Sequence, residues 1–315
     1  MLYYSQHSID DDDINEVIKV LKSNTITQGP KLVEFEKSVK DKLFVKHAVA
    51  VNSATSALHL ACIALDLTKG DYLWTSSISF VASSNCGLYC GAKVDFVDIN
   101  PLTGLISIKA LKEKLESAAI KNKLPKVLIP VHLAGSSCDM ESIKELSEEY
   151  GFKIIEDASH AIGGKYKDQY IGSCKYSDIS VLSFHPVKII TTGEGGMVLT
   201  NKDEIYQKIK MLRGHGITSE DFELETPGPW YYEQQLLGYN YRITDIQAAL
   251  GTSQLKKLDK FVEKRNKAAC YYREKLRNNK FFKLMDVPSN VYSSYHLAII
   301  RILETNPKIH RELFE

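Results

Sequence analysis

The 315-residue chain has only six cysteines (Cys62, Cys86, Cys90, Cys138, Cys174 and Cys270), and no two form a C-x-x-C pair. That scatter argues against a disulfide framework or a zinc site. Cys86 and Cys90, four residues apart, are expected to share a helix face as core thiols. An excess of either charge is also lacking, with 40 Lys and Arg against 39 Asp and Glu and a formal net charge of +1. Such balance gives no general attraction to nucleic acid or to an anionic membrane, so any bound phosphate must be held by local groups. No apolar run approaches the length of a membrane span. The start, Met1-Leu2-Tyr3-Tyr4-Ser5, has neither the basic nor the apolar region of a signal peptide, so a cytoplasmic protein is expected. Internal repeats and low-complexity tracts are absent.

Against these absences one stretch, Glu156 to Gly196, is dense with chemistry. Lys153-Ile154-Ile155-Glu156-Asp157 reads as a buried strand ending in a carboxylate. A second apolar run, Ser180-Val181-Leu182, ends in Ser183 and is followed by Phe184-His185-Pro186-Val187-Lys188, then by the glycine-rich turn Gly193-Glu194-Gly195-Gly196. In an open parallel sheet the carboxyl ends of the strands line the ligand crevice, so Asp157, Ser183 and Lys188 should converge there. Taken singly, Lys188 reads as a solvated loop lysine and Asp157 as a helix cap. Taken together they supply what a pyridine cofactor requires: an amine for a Schiff base and a carboxylate to keep the ring nitrogen protonated. Pyridoxal phosphate meets both demands.

The rest of the chain supports a parallel α/β domain. Ser8 is expected to cap a first helix, with Asp10 to Asp13 as a solvated acidic end and Ile14, Val17, Ile18 and Leu21 as its apolar stripe. Val33, Phe35, Val39 and Leu43 mark a second helix. The strand Ala48 to Val51 leads into Asn52-Ser53-Ala54-Thr55 and a helix, a geometry that makes either an anion site or an ordinary Ser/Thr cap. Strands are expected near Tyr72 to Thr75, Lys93 to Val97, Val127 to Val131 and Met197 to Thr200. Helices are expected from Phe80, near Ile108 to Leu115, over Glu141 to Tyr150, through Ile205 and Leu212, and, with interruptions, from Thr244 to about Arg277. Pro227-Gly228-Pro229-Trp230 reads as a mobile connection. Short strands, notably Ser294 to Ile302, suggest a smaller α+β unit. Residues 1–243 then form the large domain, and residues 244–315 a connecting helix and a small domain that reads as unfinished at Glu315, where a new helix has begun.

Seven segments carry a family resemblance: Ile26-Thr27-Gln28-Gly29-Pro30, Asn52 to Leu58, Ser79-Phe80-Val81-Ala82-Ser83, Glu156 to His160, Ser183 to Lys188, Gly193 to Gly196 and Gly238-Tyr239-Asn240-Tyr241-Arg242. In this order they resemble the DegT/DnrJ/EryC1/StrS sugar aminotransferases, whose architecture is that of aspartate aminotransferase (fold type I). The resemblance implies that Lys188 binds the cofactor covalently, Asp157 partners the pyridine nitrogen, Phe80 stacks on the ring and His160 lies near the ring oxygen. Ser53, Ala54, Thr55 and Ser183 would hold the phosphate, and Asn240 would reach it from a second subunit of a homodimer. Tyr4 and the segment Asn24, Thr25, Ile26, Thr27 would touch a nucleotide sugar.

Within the family the chain resembles the transaminases of the pseudaminic acid pathway. These aminate C4 of a UDP-linked 2-acetamido-2,6-dideoxy-4-ketohexose with glutamate as donor. Family members usually continue for some tens of residues past Glu315. Three other readings have discriminating features. A sugar dehydratase of the same fold has histidine in place of Lys188, and a regulator that binds the cofactor without turnover would be told apart by assay. A Rossmann dehydrogenase would need G-x-G-x-x-G spacing, whereas Gly193 to Gly196 lacks it and leads into a strand.

Overall fold

Parallel strands covered on both faces read as continuous apolar runs, and this chain threads such runs between helices. The computed structural model describes residues 6–218, 228–303 and 307–315. Helices α1 (Asp11–Leu21) and α2 (Pro30–Leu43) precede β1 (His47–Val51). Then α3 (Ala54–Ala64), β2 (Tyr72–Ser76), α4 (Ala82–Tyr89), β3 (Lys93–Val97), α5 (Ile108–Ile120), β4 (Val127–Ile129), α6 (Met140–Tyr150) and β5 (Lys153–Asp157) alternate. The short strands β6 (Lys165–Tyr166) and β7 (Gln169–Tyr170) come before β8 (Ile179–Ser183), β9 (Gly196–Thr200) and α7 (Asp203–Arg213). There follow β10 (Ile217–Thr218), β11 (Glu233–Gln234), α8 (Asp245–Leu255), α9 (Leu258–Leu276), β12 (Phe282–Leu284), β13 (Val291–Tyr292), β14 (Ile300–Ile302) and α10 (Pro307–Phe314).

The seven-stranded central sheet has the order β1-β9-β8-β5-β4-β2-β3. Its pairs from β8 through β3 are parallel, and β9 runs antiparallel to both β8 and β1. Alternation along β8 and β9 sends side chains to two cores. Leu182, Met197 and Leu199 pack with Phe35 of α2, and with Ala248 of α8 and Val262 of α9. Val181 and Val198 pack with Leu58 and Leu60 of α3 and Ile209 of α7. A third cluster places Trp74, Leu128 and Ile154 beneath α5 and α6. Residue 244 opens α8, which packs on α1 and α2, and β12 pairs with β14 in a separate two-stranded sheet. Among the described residues no helix is long and apolar enough to cross a membrane.

Several local expectations need correction. Asp10, not Ser8, caps α1, in a reciprocal capping box with Asp13. Asp13 is not solvated: it is fully buried, ion-paired with Lys257 at 2.6 Å and bonded by Gln254 Nε2 at 2.7 Å. Ile14, Ile18 and Leu21 face outward instead. A helix with two candidate faces buries the one for which a distant chain segment supplies partners. In α2 Leu32 is buried with Phe35, Val39 and Leu43, whereas Val33 is exposed. The helix expected from Phe80 begins at Ala82. Cys86 is buried at the α3–α4 contact, but Cys90 lies past the last residue of α4 and is half-buried. Strand structure between Ser294 and Ile302 is confined to β14, because Tyr295 takes a left-handed φ of 47° that breaks the extended run.

Candidate active site

Asp157 ends β5 and is buried at 5% exposure. Ser83, in α4, donates its hydroxyl to Asp157 Oδ2 at 2.6 Å, and the Ser159 amide donates to Oδ1 at 3.1 Å. One residue earlier, Glu156 points to the opposite face of the strand. His132 Nε2 lies 2.7 Å from Glu156 Oε2, and Ser177 donates its hydroxyl to Oε1. The Cys138 amide donates to His132 Nδ1 at 3.2 Å, which places the imidazole proton on Nε2, donated to Glu156. Backbone bonds from His132 to the Asp157 carbonyl (3.0 Å) and from Asp157 to the Pro130 carbonyl (3.0 Å) complete the clamp. Each such buried bond left unmade would cost about 1–3 kcal/mol, so the end of β5 is held firmly where Asp157 emerges.

Lys188 sits on the β8–β9 connection, whose base is closed by Phe184 donating to Gly195 (2.9 Å) and Thr192 donating to Phe184 (3.0 Å). Burial lowers the pKa of Lys188 below that of a free lysine, and the charge of Asp157 acts in the other direction. The amine and the carboxylate are therefore near enough to act on each other, and Lys188 opens on a cavity of about 330 Å³.

The anion-binding geometry arises where three segments meet. Ser183 is paired with Gly196 across β8 and β9. A Cβ on Gly196 would lie 2.5 Å from the Ala54 nitrogen, so only glycine lets β9 approach the start of α3 this closely. Ser53 caps α3, accepting from the Ser56 amide at 3.1 Å. The first-turn amides of Ala54 and Thr55 have no acceptor within their helix, and they lie at its positive end. Gly196 thus brings the end of β8 at Ser183 next to the first turn of α3 at Ser53, Ala54 and Thr55.

His160 accepts from the Ala134 amide through Nδ1 (3.3 Å), leaving its proton on Nε2. Its pKa is lowered to about 4 by burial and the Lys188 charge, with Asp157 opposing. Its ring is 4.4 Å from that of His296. The turn that delivers His296 is fixed by Ser294, whose amide donates to Gly135 and whose hydroxyl donates to the His160 carbonyl, each at 3.0 Å. Gly135 has φ +95°, and a Cβ there would lie 2.4 Å from the Ser294 hydroxyl oxygen. Burial, His160, Lys188 and Arg265 together lower the His296 pKa to about 2, so the ring stays neutral. Sequence reasoning missed Ser83, the His132–Glu156 pair, His296 and Arg265. Of these only Ser83 and Glu156 carried a signal, each as part of a family segment.

Other expected site residues lie at the periphery. Phe80 is exposed at 72% in the turn before α4. Asn240 is exposed between Tyr239 and Tyr241, which stack on each other at 5.0 Å and pack around His59 of α3. Asn24, Thr25, Ile26 and Thr27 are exposed, with Thr27 bridged to Thr244 and the Ile26 carbonyl accepting from Asp245 (3.0 Å). They do not line the Lys188 cavity. The buried Asp245 carboxylate in turn caps α2 through the amides of Gly29, Lys31 and Leu32. Tyr4 lies outside the described residues.

Residues 7–315 match the DegT/DnrJ/EryC1/StrS aminotransferase family. The UDP-4-amino-4,6-dideoxy-N-acetyl-beta-L-altrosamine transaminase of Campylobacter jejuni strain 81-176 is 41% identical over 316 residues, covering 100% of this chain and 80% of that protein. The structure of Helicobacter pylori PseC, described as an aminotransferase involved in the biosynthesis of pseudoaminic acid, superposes with a TM-score of 0.87 at 35% identity. That match covers 98% of this chain and 79% of PseC. A putative sugar aminotransferase from Streptococcus pneumoniae, Spr1654, superposes in its PLP-form with a TM-score of 0.85 at 28% identity, covering 99% of this chain and 80% of that one. From the family match over residues 7–315 and the 41% identity over the whole chain, it follows that the chain belongs to the DegT/DnrJ/EryC1/StrS aminotransferase family.

Proposed function

We propose that this protein is a pyridoxal phosphate-dependent aminotransferase that moves an amino group from glutamate to C4 of a UDP-4-keto-6-deoxy-N-acetylhexosamine, in pseudaminic acid biosynthesis. The observation that carries the reading is the half-buried Lys188, facing Asp157 at the mouth of a cavity. The 41% identity to the Campylobacter transaminase supports the choice of sugar. The residues present fit the cofactor. The first-turn amides of Ala54 and Thr55 have no acceptor within α3, Gly196 leaves the close approach open, and the Asp157 charge acts on an amine that can be covalently modified. Ser53, Ala54, Thr55 and Ser183 would hold the phosphate, Phe80 would cover one ring face, and His160 would donate its Nε2 proton to the ring oxygen.

When bound, the cofactor supplies a conjugated, electron-withdrawing ring. The buried charge of Asp157 would keep the ring nitrogen protonated. Lys188 Nζ would hold the cofactor and, when free, would be the base that carries a proton away from the donor carbon and gives it back as an acid. Burial, which lowers the basicity of Lys188, favours both roles. In this reading residues 1–243 supply the cofactor groups, and residues 244–315 line the cavity with Gln254, Lys264 and Arg265. Glutamate alone, without added metal, should convert the visible absorbance of the holoenzyme to the amine form, and a UDP-4-ketohexose should restore it. A screen in which aspartate or alanine worked and glutamate did not would overturn the donor assignment.

The working unit is proposed to be a homodimer with shared sites. The supporting observation is an exposed apolar flank beside the site, with Phe80, Val81, Leu88 and Tyr89 uncovered and the Asn240 amide free to donate outward. Mixing inactive Lys188→Ala and Asn240→Ala subunits should then recover activity, since each heterodimer carries one intact site. Heterodimers that form and stay inactive would place Asn240 in the site of its own chain.

A further inference from the structure

The cavity that opens on Lys188 is lined by three cationic side chains, Lys188, Lys264 and Arg265, and by no carboxylate. Among the described residues none of the three forms an ion pair, and Asp157 is the one acid that acts on Lys188. Arg265 is held by one nitrogen. Its Nη1 donates to the carbonyl oxygens of Tyr295 at 3.2 Å and His296 at 3.0 Å. Its Nε and Nη2 donate to no described residue. A guanidinium fixed in this way presents a rigid pair of donors, the arrangement that matches a carboxylate or a phosphate. Burial disfavours the Arg265 charge and no neighbouring acid opposes that effect. The neighbouring His296, whose Nδ1 is buried without a partner, adds no counter-charge. A partly buried cation without a counter-ion gains most from an anion that arrives with the substrate.

Resting on the aminotransfer reading above, we propose that Arg265, assisted by Lys264, anchors the anionic group of the substrates that reach Lys188, either a carboxylate of the amino donor or a phosphate of the nucleotide sugar. Both substrates are anions and both must visit the same lysine in turn. One fork can therefore hold a carboxylate in the first half-reaction and a phosphate in the second. An anchor remote from the reacting carbon binds ground state and transition state alike, so its loss raises the half-saturating substrate concentration more than it slows chemistry.

The test uses the holoenzyme, in which the cofactor already fills the phosphate-binding turn of α3. Arg265→Gln should take up cofactor with unchanged absorbance and need about tenfold or more glutamate for half-maximal conversion. The nucleotide ketosugar, titrated in the reverse half-reaction, reads the phosphate arm. A rise confined to one substrate supports the anchor and identifies which anion it holds. Because Arg265 also braces the Tyr295–His296 turn, Lys264→Gln, which removes no described hydrogen bond, must shift in the same direction whichever titration Arg265→Gln shifts. Inorganic phosphate, followed by calorimetry, should bind the native holoenzyme and lose about tenfold in affinity in both variants. Unchanged affinity for phosphate and for both substrates in the two variants would overturn the anchor. Phosphate binding that depends on Arg265, in a native protein that glutamate fails to convert, would instead sink the aminotransfer reading and leave the anion site standing.

Discussion

Lys188→Ala is expected to abolish covalent attachment of pyridoxal phosphate and to lower turnover by about 10⁴-fold or more, because one substitution removes both the anchoring amine and the group that moves the proton. The variant should still fold. Lys188 is half-buried at a loop position, and the bonds that close the loop base, Phe184 to Gly195 and Thr192 to Phe184, are all backbone. Cofactor should also still bind, weakly and non-covalently, through the α3 turn and Asp157. In the native protein, borohydride reduction followed by peptide mass spectrometry should place the pyridoxyl group on Lys188. Finding it on another lysine would refute the site assignment regardless of any activity measurement.

Asp157→Asn should retain the fold and the cofactor yet lose about 100- to 1,000-fold in kcat, the scale on which removal of one preorganised electrostatic group acts. The amide keeps the shape of the carboxylate, its oxygen can still accept from the Ser159 amide and its NH2 can donate to the Ser83 hydroxyl, so packing is preserved while the charge is lost. A second consequence has a definite sign. In the native protein Asp157 raises the Lys188 pKa while burial lowers it. Removing the charge leaves burial alone, so the Lys188 pKa in cofactor-free protein must fall further, and its chemical modification should begin at lower pH than in the native chain. Near-native kcat in the loaded Asn variant would rule out the role given to Asp157.

The core of the site could be read from the chain because its parts are local. Asp157 and Lys188 each follow a short apolar strand, and alternating helices and strands dictate that such ends share one edge of a parallel sheet. What could not be read depends on contacts between distant segments. The reversal of β9 follows from its pairing with β1, not from the residues of β9. The capping of α2 by Asp245 joins positions more than 200 residues apart, and the burial of Asp13 follows from the arrival of Gln254 and Lys257. His296 was hidden for another reason. Its segment has the composition of a strand, and only the left-handed Tyr295 turns it into a loop that faces His160.

The position of β9 also bears on how the molecule assembles. The turn at Ser53 belongs to the first quarter of the chain, whereas Gly196, which packs against it, belongs to the last strand of the central sheet. Closing so long a loop carries an entropic penalty that must be met before the contact gives anything back, and topologies of this kind fold slowly. During synthesis, the turn and its helix leave the ribosome long before β9 exists to abut them. The contact between Gly196 and the start of α3 is therefore completed late, as β9 inserts between β1 and β8, and a nascent chain ending before Gly196 would leave the Ser53 turn without the strand that packs against it.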